Sequence, residues 1–285
     1  MIKATAQNTI FVTVATERTP VTLIVMASAR KNDIFVHFLR SEKTLPDYWG
    51  MKVQPLYQHL KQQKEIGKQF FVFFDAYDVF FLRHRDEILQ RFNDVYDGKV
   101  IFNADYARSL YPYTNRAELF AHDELKATWL IDHFQNGDTE TTRLLNAGLF
   151  AGQIDHGIEL IETTSQVQLD FWQRKLHSPM EQRLYEDISA EKLRIDDQMA
   201  FWMTMLHYPH LFHVDARKEL FTVVATGMMM NDELETYRNI TRSRPLKDGT
   251  CIGNAVIIHS AGGGWRNMGF AYRHHLYEPV TWKGE

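Results

Sequence analysis

Cysteine occurs once among the 285 residues, as Cys251, so the chain forms no internal disulfide and no cysteine-based zinc cluster. A lone thiol also suits a reducing compartment. Basic excess is missing as well: 32 Lys and Arg stand against 36 Asp and Glu, a formal net charge of -4. That balance offers no broad positive field to a nucleic acid or an anionic membrane, although a local groove can still be positive. Long apolar runs are absent near the start, where Val21–Ala29 is about half the length a bilayer requires. Residues 1–10 lack the charged start and apolar centre of a secretory leader. The expectation is a soluble, cytoplasmic protein with no membrane partner. Internal repeats, low-complexity tracts and Gly/Ser/Pro-rich linkers are lacking too.

What is present reads as a globular α/β chain. A hydrophobic share of 45% and a charged share of 24% are those of a packed protein. At about 150 residues per domain the length allows one or two domains, and the missing linker favours a single one across 1–285. The first half alternates strand-like and helix-like runs. Ile10–Ala15 is β-branched and apolar. Thr19 then reads as an N-cap and Pro20 as the first helical position before Val21–Arg30. Ile34–Leu39 is a second strand, and Pro55 opens a helix with Leu56, Tyr57 and Leu60 at helical spacing, ended by Gly67. Gln69–Phe74 is a short apolar run suited to a strand covered on both faces. A helix over Arg85–Phe92 and a strand over Lys99–Asn103 follow. This alternation predicts an open, mostly parallel sheet flanked by helices.

The second half is less regular. Leu144–Gly152 reads as a strand, Ile158–Leu176 as a long helix, and Asp196–His207 as a helix with Met199, Trp202, Met203 and Leu206 on one face. Val256–His259 is a late strand, followed by the glycine-rich Ala261-Gly-Gly-Gly-Trp265.

Chemistry concentrates at three places. Asp75-Ala-Tyr-Asp78 directly follows the apolar strand, and in open α/β sheets ligands bind outside the carboxyl ends of strands. Two carboxylates there can serve one hard divalent cation, Mn2+ or Mg2+, or simply cap a turn. Tyr77 between them offers a flat face to a nucleobase. His259-Ser-Ala-Gly-Gly-Gly264 supplies an imidazole acceptable to Mn2+ and backbone that can approach a diphosphate closely. Asp196 and Asp197 either cap a helix or face a sugar or an acceptor hydroxyl. His207, His210 and His213 are interrupted by Pro209. His213-Val-Asp215 has the form of the first two ligands of a non-haem iron site, but such an oxygenase needs a jelly-roll of short strands, and this chain alternates strands with helices.

Taken together these motifs resemble the glycosyltransferase domain of the procollagen lysyl hydroxylases. Phe73-Phe-Asp-Ala-Tyr-Asp-Val-Phe80 resembles that family's metal-binding Asp-Ser-Tyr-Asp-Val segment. Thr13-Val-Ala-Thr16 is similar to its first-strand motif beside the uridine, and Lys52-Val53 to a Lys-Val pair before a helix. Leu145-Asn-Ala-Gly148 is similar to its Leu-Asn-Ser-Gly, Asp196-Asp-Gln198 to its Asp-Asp-Gln, and His259 to its late metal-binding histidine. The motifs keep the same order over roughly residues 10–265.

The resemblance implies a GT-A glycosyltransferase fold with a Rossmann-like sheet. About 1–105 would form the nucleotide-binding half and about 106–285 the sugar and acceptor half. It implies a UDP-sugar donor and Mn2+, with Mg2+ as the alternative, held by Asp75, Asp78 and His259. Thr13 and Tyr77 would contact the uridine or ribose, Lys52 the nucleotide, and Gly262 the diphosphate. Asn146, Asp196 and Asp197 would face the donor sugar and the acceptor. Glucose is the expected hexose, galactose the next, with retention of configuration. One departure is clear: the family's His-Gly-Asn-Gly-Pro-Thr-Lys is here His-Ser-Ala-Gly-Gly-Gly-Trp, so Trp265 replaces the phosphate-facing lysine and Arg266 is expected to substitute for it. Hydroxylysine of a collagen-like protein is the first acceptor to consider. Alternatives are a hydroxymethylated pyrimidine in DNA, or a non-catalytic role as a UDP-sugar-binding module.

Overall fold

The run Phe70-Phe-Val-Phe-Phe74 is buried at every position, and its side chains divide by parity between two cores. Phe71 and Phe73 enter one apolar cluster, while Phe70, Val72 and Phe74 enter another. A strand that feeds both faces must lie inside a sheet covered on both sides, and each buried phenylalanine contributes about 1.5–3 kcal/mol. The computed structural model, which describes residues 2–41, 49–106, 143–176, 182, 185–186, 197–215, 219–223 and 256–259, places this strand at the middle of a six-stranded sheet.

The elements before it are β1 (Thr9–Ala15), α1 (Pro20–Lys31), β2 (Val36–Arg40), a wide helical turn at Trp49–Val53 and α2 (Gln54–Glu65). The apolar run is β3 (Phe70–Phe74). After it come β4 (Val79–Phe81), α3 (Arg85–Val95), β5 (Val100–Tyr106), β6 (Arg143–Gln153) and α4 (Ile154–Trp172). The last are α5 (Asp197–His207), β7 (Phe212–Asp215), β8 (Phe221–Val223) and β9 (Ile257–His259).

The large sheet has the order β2-β1-β3-β6-β5-β7. β1 pairs in parallel with both β2 and β3, and β5 in parallel with β7. β6 is antiparallel to β3 and β5 and alone runs against the others. The sheet is therefore mostly parallel, as expected. Apolar residues of α1 and α3 lie in one core cluster, those of α2 and α4 in the other. Because β2 and β3 lie on opposite sides of β1, the strand order reverses there, and a crevice opens at the carboxyl ends of β1 and β3.

Local signals account for several boundaries. Thr19 accepts from the Thr22 amide while Thr22 Oγ1 accepts from the Thr19 amide, a reciprocal cap with Pro20 in the first turn. α2 ends where Gly67 takes φ +85°, a conformation costly for residues with a Cβ. Gly157 lets α4 press against β3: a Cβ there would lie 2.5 Å from Phe71 Cε1.

Two expectations are corrected. The long helix begins at Ile154, not Ile158, and ends at Trp172, because β6 runs straight into it and the Ile154 amide donates to Gln69 O (2.8 Å). α5 is buried on nearly every side, from Ala200 through Met205, not along one stripe. The short strands β4, β7 and β8 were not legible in the sequence, since three or four residues carry no measurable period. Among the described residues, no helix is long and apolar enough to cross a membrane.

Candidate active site

The turn after β3 carries Asp75 and Asp78 into the crevice, and a second, three-stranded sheet of order β4-β9-β8 brings in the third member. β4 starts one residue after Asp78 and pairs antiparallel with β9, in a register that sets Val79 opposite His259. β4 is itself fixed to α1: Asn32 Nδ2 donates to Phe81 O (2.9 Å) and the Phe81 amide to Ser28 Oγ (3.3 Å). His259 Nε2 thus sits 3.3 Å from Asp78 Oδ1 and 3.8 Å from Asp75 Oδ2. Ligand atoms of Asp75, Asp78 and His259 all lie within 4.8 Å of one another.

These residues fit a hard divalent cation. Asp78 Oδ1 is buried and accepts no hydrogen bond, a costly state for a carboxylate oxygen that a cation would relieve. Two carboxylates and one imidazole are a donor set that Mn2+ accepts. Burial, helped by repulsion from Asp78 and Asp197, pushes the Asp75 carboxyl up to about 6 against the pull of Lys52 and His259. The pair of acids is thus crowded in the absence of further positive charge.

Lys52, in the turn before α2, is the cation already there. Its Nζ lies 2.7 Å from Asp75 Oδ1 and 2.6 Å from Asp197 Oδ2, and donates to Ala147 O at 3.3 Å. Burial pulls this ammonium down, but Asp197 and Asp75 outweigh it and hold the group above the ordinary lysine value. Lys52 therefore ties Asp75 to Asp197, the first residue of α5.

β6 supplies the floor of the crevice through an irregularity. Its pairing with β5 jumps from Phe102↔Phe150 to Asn103↔Asn146, so residues 147–149 bulge toward β3. Gly148 O accepts from the Asp75 amide (2.7 Å), fixing the start of the aspartate turn. Gly148 must be glycine for a steric reason: a Cβ would lie 2.6 Å from His259 Nε2 and 2.8 Å from Asp75 Oδ2. Gly148→Ala is expected to cost about 1–3 kcal/mol by overpacking and to weaken divalent-cation binding, as thermal melting with and without Mn2+ will register.

The other expected site residues are distributed as follows. Tyr77 sits at the mouth, its hydroxyl donating to Glu17 O (3.3 Å) and lying 3.5 Å from Thr16 Oγ1. Thr13 is wholly buried, and its hydroxyl donates to Phe74 O (2.6 Å), bracing β1 against β3. Asn146 is buried, with Oδ1 accepting from the Gly148 amide (2.8 Å) and from Asn103 Nδ2 (3.3 Å). Gln198 Oε1 accepts from the Ala147 amide (3.4 Å), linking α5 to the bulge. Asp196, Gly262 and Arg266 lie outside the described residues.

Sequence reasoning missed Asn103, wholly buried at the bulge with Nδ2 3.1 Å from His259 Nδ1. A polar residue inside the apolar Val100–Ala104 run was the available signal. The iron-like His213-Val-Asp215 is accounted for structurally. Asp215 accepts the amides of Glu219, Leu220 and Phe221, and His213 pairs with Asp97 at 3.1 Å.

An open α/β sheet whose switch point carries two aspartates, a histidine and a lysine has the architecture of a GT-A-like glycosyltransferase. The particular family is shown by a family model, that of the PLOD GT domain, the glycosyltransferase domain of lysyl hydroxylases, which matches residues 5–173. The chain belongs to that family. Among curated proteins no match is found. Among solved structures the chain is similar to a glycosyltransferase involved in the glycosylation of the major capsid of PBCV-1, at 10% identity, covering 91% of this chain and 96% of that one with a TM-score of 0.43. It is also similar to a protein from STIV at 18% identity, covering 36% of this chain and 49% of that one with a TM-score of 0.26.

Proposed function

We propose that this chain transfers a hexose, glucose first and galactose next, from a UDP-sugar to an acceptor hydroxyl in a Mn2+-dependent reaction. One observation carries the reading: Asp75, Asp78 and His259 converge at the sheet's switch point in a member of a glycosyltransferase family. In this reading those three residues hold the cation, Mn2+ or otherwise Mg2+, which when bound supplies Lewis-acid neutralisation of the leaving diphosphate.

The protein's own groups do the rest. Lys52 fixes Asp75 and Asp197 and adds a permanent positive charge beside the leaving group, where it stabilises developing negative charge without reorganisation. Tyr77 offers its ring to the uracil at the mouth of the crevice, and the family resemblance assigns Gly262 and Arg266 to the diphosphate. Asp197 and Asn146 face the sugar, and together with Asp196, which the resemblance assigns to the same task, they hold the acceptor hydroxyl against the anomeric carbon. Residues of about 1–105 form the nucleotide half and those of about 106–285 the sugar and acceptor half. Retention of configuration is expected, so a β-linked product from an α-linked donor contradicts that part. Hydroxylysine of a collagen-like protein is the acceptor to test first, then a hydroxymethylated pyrimidine in DNA.

The deciding experiment is UDP release from a panel of UDP-sugars with Mn2+ or with EDTA. Slow hydrolysis of one donor, dependent on Mn2+, is the expected result and names the sugar. Mn2+-dependent binding with no release, even when both acceptors are supplied, assigns a binding module instead. Neither release nor binding overturns the reading.

A further inference from the structure

Asn103 is connected to the metal cluster by a chain of hydrogen bonds that fixes which way its amide points. Asn146 Oδ1 accepts the Gly148 amide at 2.8 Å, so the oxygen end of Asn146 is set by the backbone. The Asn103 atom 3.3 Å from that oxygen is therefore the NH2 group, and this same Nδ2 lies 3.1 Å from His259 Nδ1. A donor facing Nδ1 makes Nδ1 the acceptor, so in neutral imidazole the proton sits on Nε2. Nε2 is the nitrogen that faces Asp78 Oδ1 and Asp75 Oδ2. In this arrangement, then, a proton occupies the direction in which a cation would be bound. Asn103 Oδ1 meanwhile is buried and accepts no hydrogen bond, an expensive condition for an amide oxygen.

Both oddities disappear together if the amide turns over. With Oδ1 toward the ring, Asn103 accepts from Nδ1–H, its orphaned oxygen gains a donor, and Nε2 presents a lone pair to the cation. The cost is the bond from Nδ2 to Asn146, whose Oδ1 then faces the turned oxygen with no proton between them, and an NH2 group moved to where the oxygen stood, a cost the bound cation has to outweigh. The proton leaves Nε2 and reappears on Nδ1, so no net proton is lost and no bond between heavy atoms changes. Metal-bound histidines generally donate their second nitrogen to an oxygen in this way, which fixes tautomer and ring orientation.

We propose that Asn103 is a positioning residue for His259, whose carboxamide turns between donating to and accepting from Nδ1 and so sets whether Nε2 offers the metal a proton or a lone pair. The inference rests on the metal reading given under the proposed function. It assigns Asn103 no contact with donor or acceptor.

The test uses Mn2+ itself as probe, titrated into the full chain and followed by the electron paramagnetic resonance of free Mn2+. Wild type, Asn103→Leu and Asn103→Asp are compared, with melting temperature as the check on folding. Leu keeps the size and removes both hydrogen bonds; its Mn2+ dissociation constant is expected to rise about 10- to 100-fold, the usual effect of losing such a partner. Asp accepts from Nδ1–H and cannot donate, so it is expected to retain most of the affinity. A second readout follows the 15N resonances of the wild-type His259 ring, identified by their loss in His259→Gln. The Nε2–H tautomer is expected without metal and the Nδ1–H tautomer with saturating Mg2+. Unchanged Mn2+ affinity in Asn103→Leu, or the Nδ1–H tautomer already present in the metal-free protein, overturns the role of Asn103. A wild-type chain that binds no Mn2+ overturns the metal reading itself, which separates the two failures.

Discussion

Asp78→Asn is expected to abolish Mn2+-dependent turnover of the UDP-sugar while leaving the metal-free protein as stable as wild type or slightly more so. The two halves of this result have different causes. Asp78 is crowded against Asp75 and His259, and its Oδ1 is buried without a donor. Removing its charge relieves repulsion on Asp75 and so costs the metal-free fold little. Losing a ligand outright should cost more than the roughly 10- to 100-fold typical of outer partners. Thermal melting separates the effects, because a ligand that binds only the folded state raises the melting temperature by mass action. Wild type should be stabilised by Mn2+, and Asp78→Asn should not. A variant still stabilised by Mn2+ to the wild-type extent would remove Asp78 from the ligand set.

Lys52→Met is expected to be the most destabilising single change in the site. The ammonium is the common partner of Asp75 and Asp197, at 2.7 and 2.6 Å, so its loss leaves two partly buried carboxylates facing each other. Breaking a buried pair from one side usually costs about 3–5 kcal/mol. The lower end is expected here, because the Asp75 side chain keeps 29% of its exposure and so some hydration. Chemical denaturation at neutral pH should show the loss. It should narrow as pH falls, since protonated carboxyls no longer need the cation. The double variant Lys52→Met with Asp197→Asn should recover part of the stability. A Lys52→Met chain as stable as wild type at neutral pH would mean that the paired acids are held by other groups.

How much of this was legible depended on the range over which each signal acts. The β3 strand, the Thr19 cap and the Gly67 stop are written in neighbouring residues, and they folded as read. The aspartate turn was legible for the same reason: its position after a buried strand is a local fact with a topological meaning. The likeness to a known family joined it to His259, which spacing alone could not have done. Three things were not legible. The resemblance assigned Thr13 to the nucleotide, and only the fold shows that its hydroxyl is taken by the carbonyl of Phe74 on the next strand. Lys52 looked like a nucleotide contact, and only the fold shows that Asp75 and Asp197 close on it. Asn103 gave no motif, because its meaning comes from a bulge in the neighbouring strand and from a histidine far down the chain.

The pairing of β4 with β9 also sets an order in time. Asp75 and Asp78 follow β3 directly, but His259 reaches them only when a three-residue strand from late in the sequence has docked beside Val79–Phe81. Contacts between such distant segments carry a large loop-closure cost and form slowly relative to local ones. During synthesis the two acids are therefore made well before their third partner leaves the ribosome. On the metal reading proposed above, tight retention of the ion needs the chain through β9, so a copy that stops earlier carries the aspartates yet lacks the third ligand.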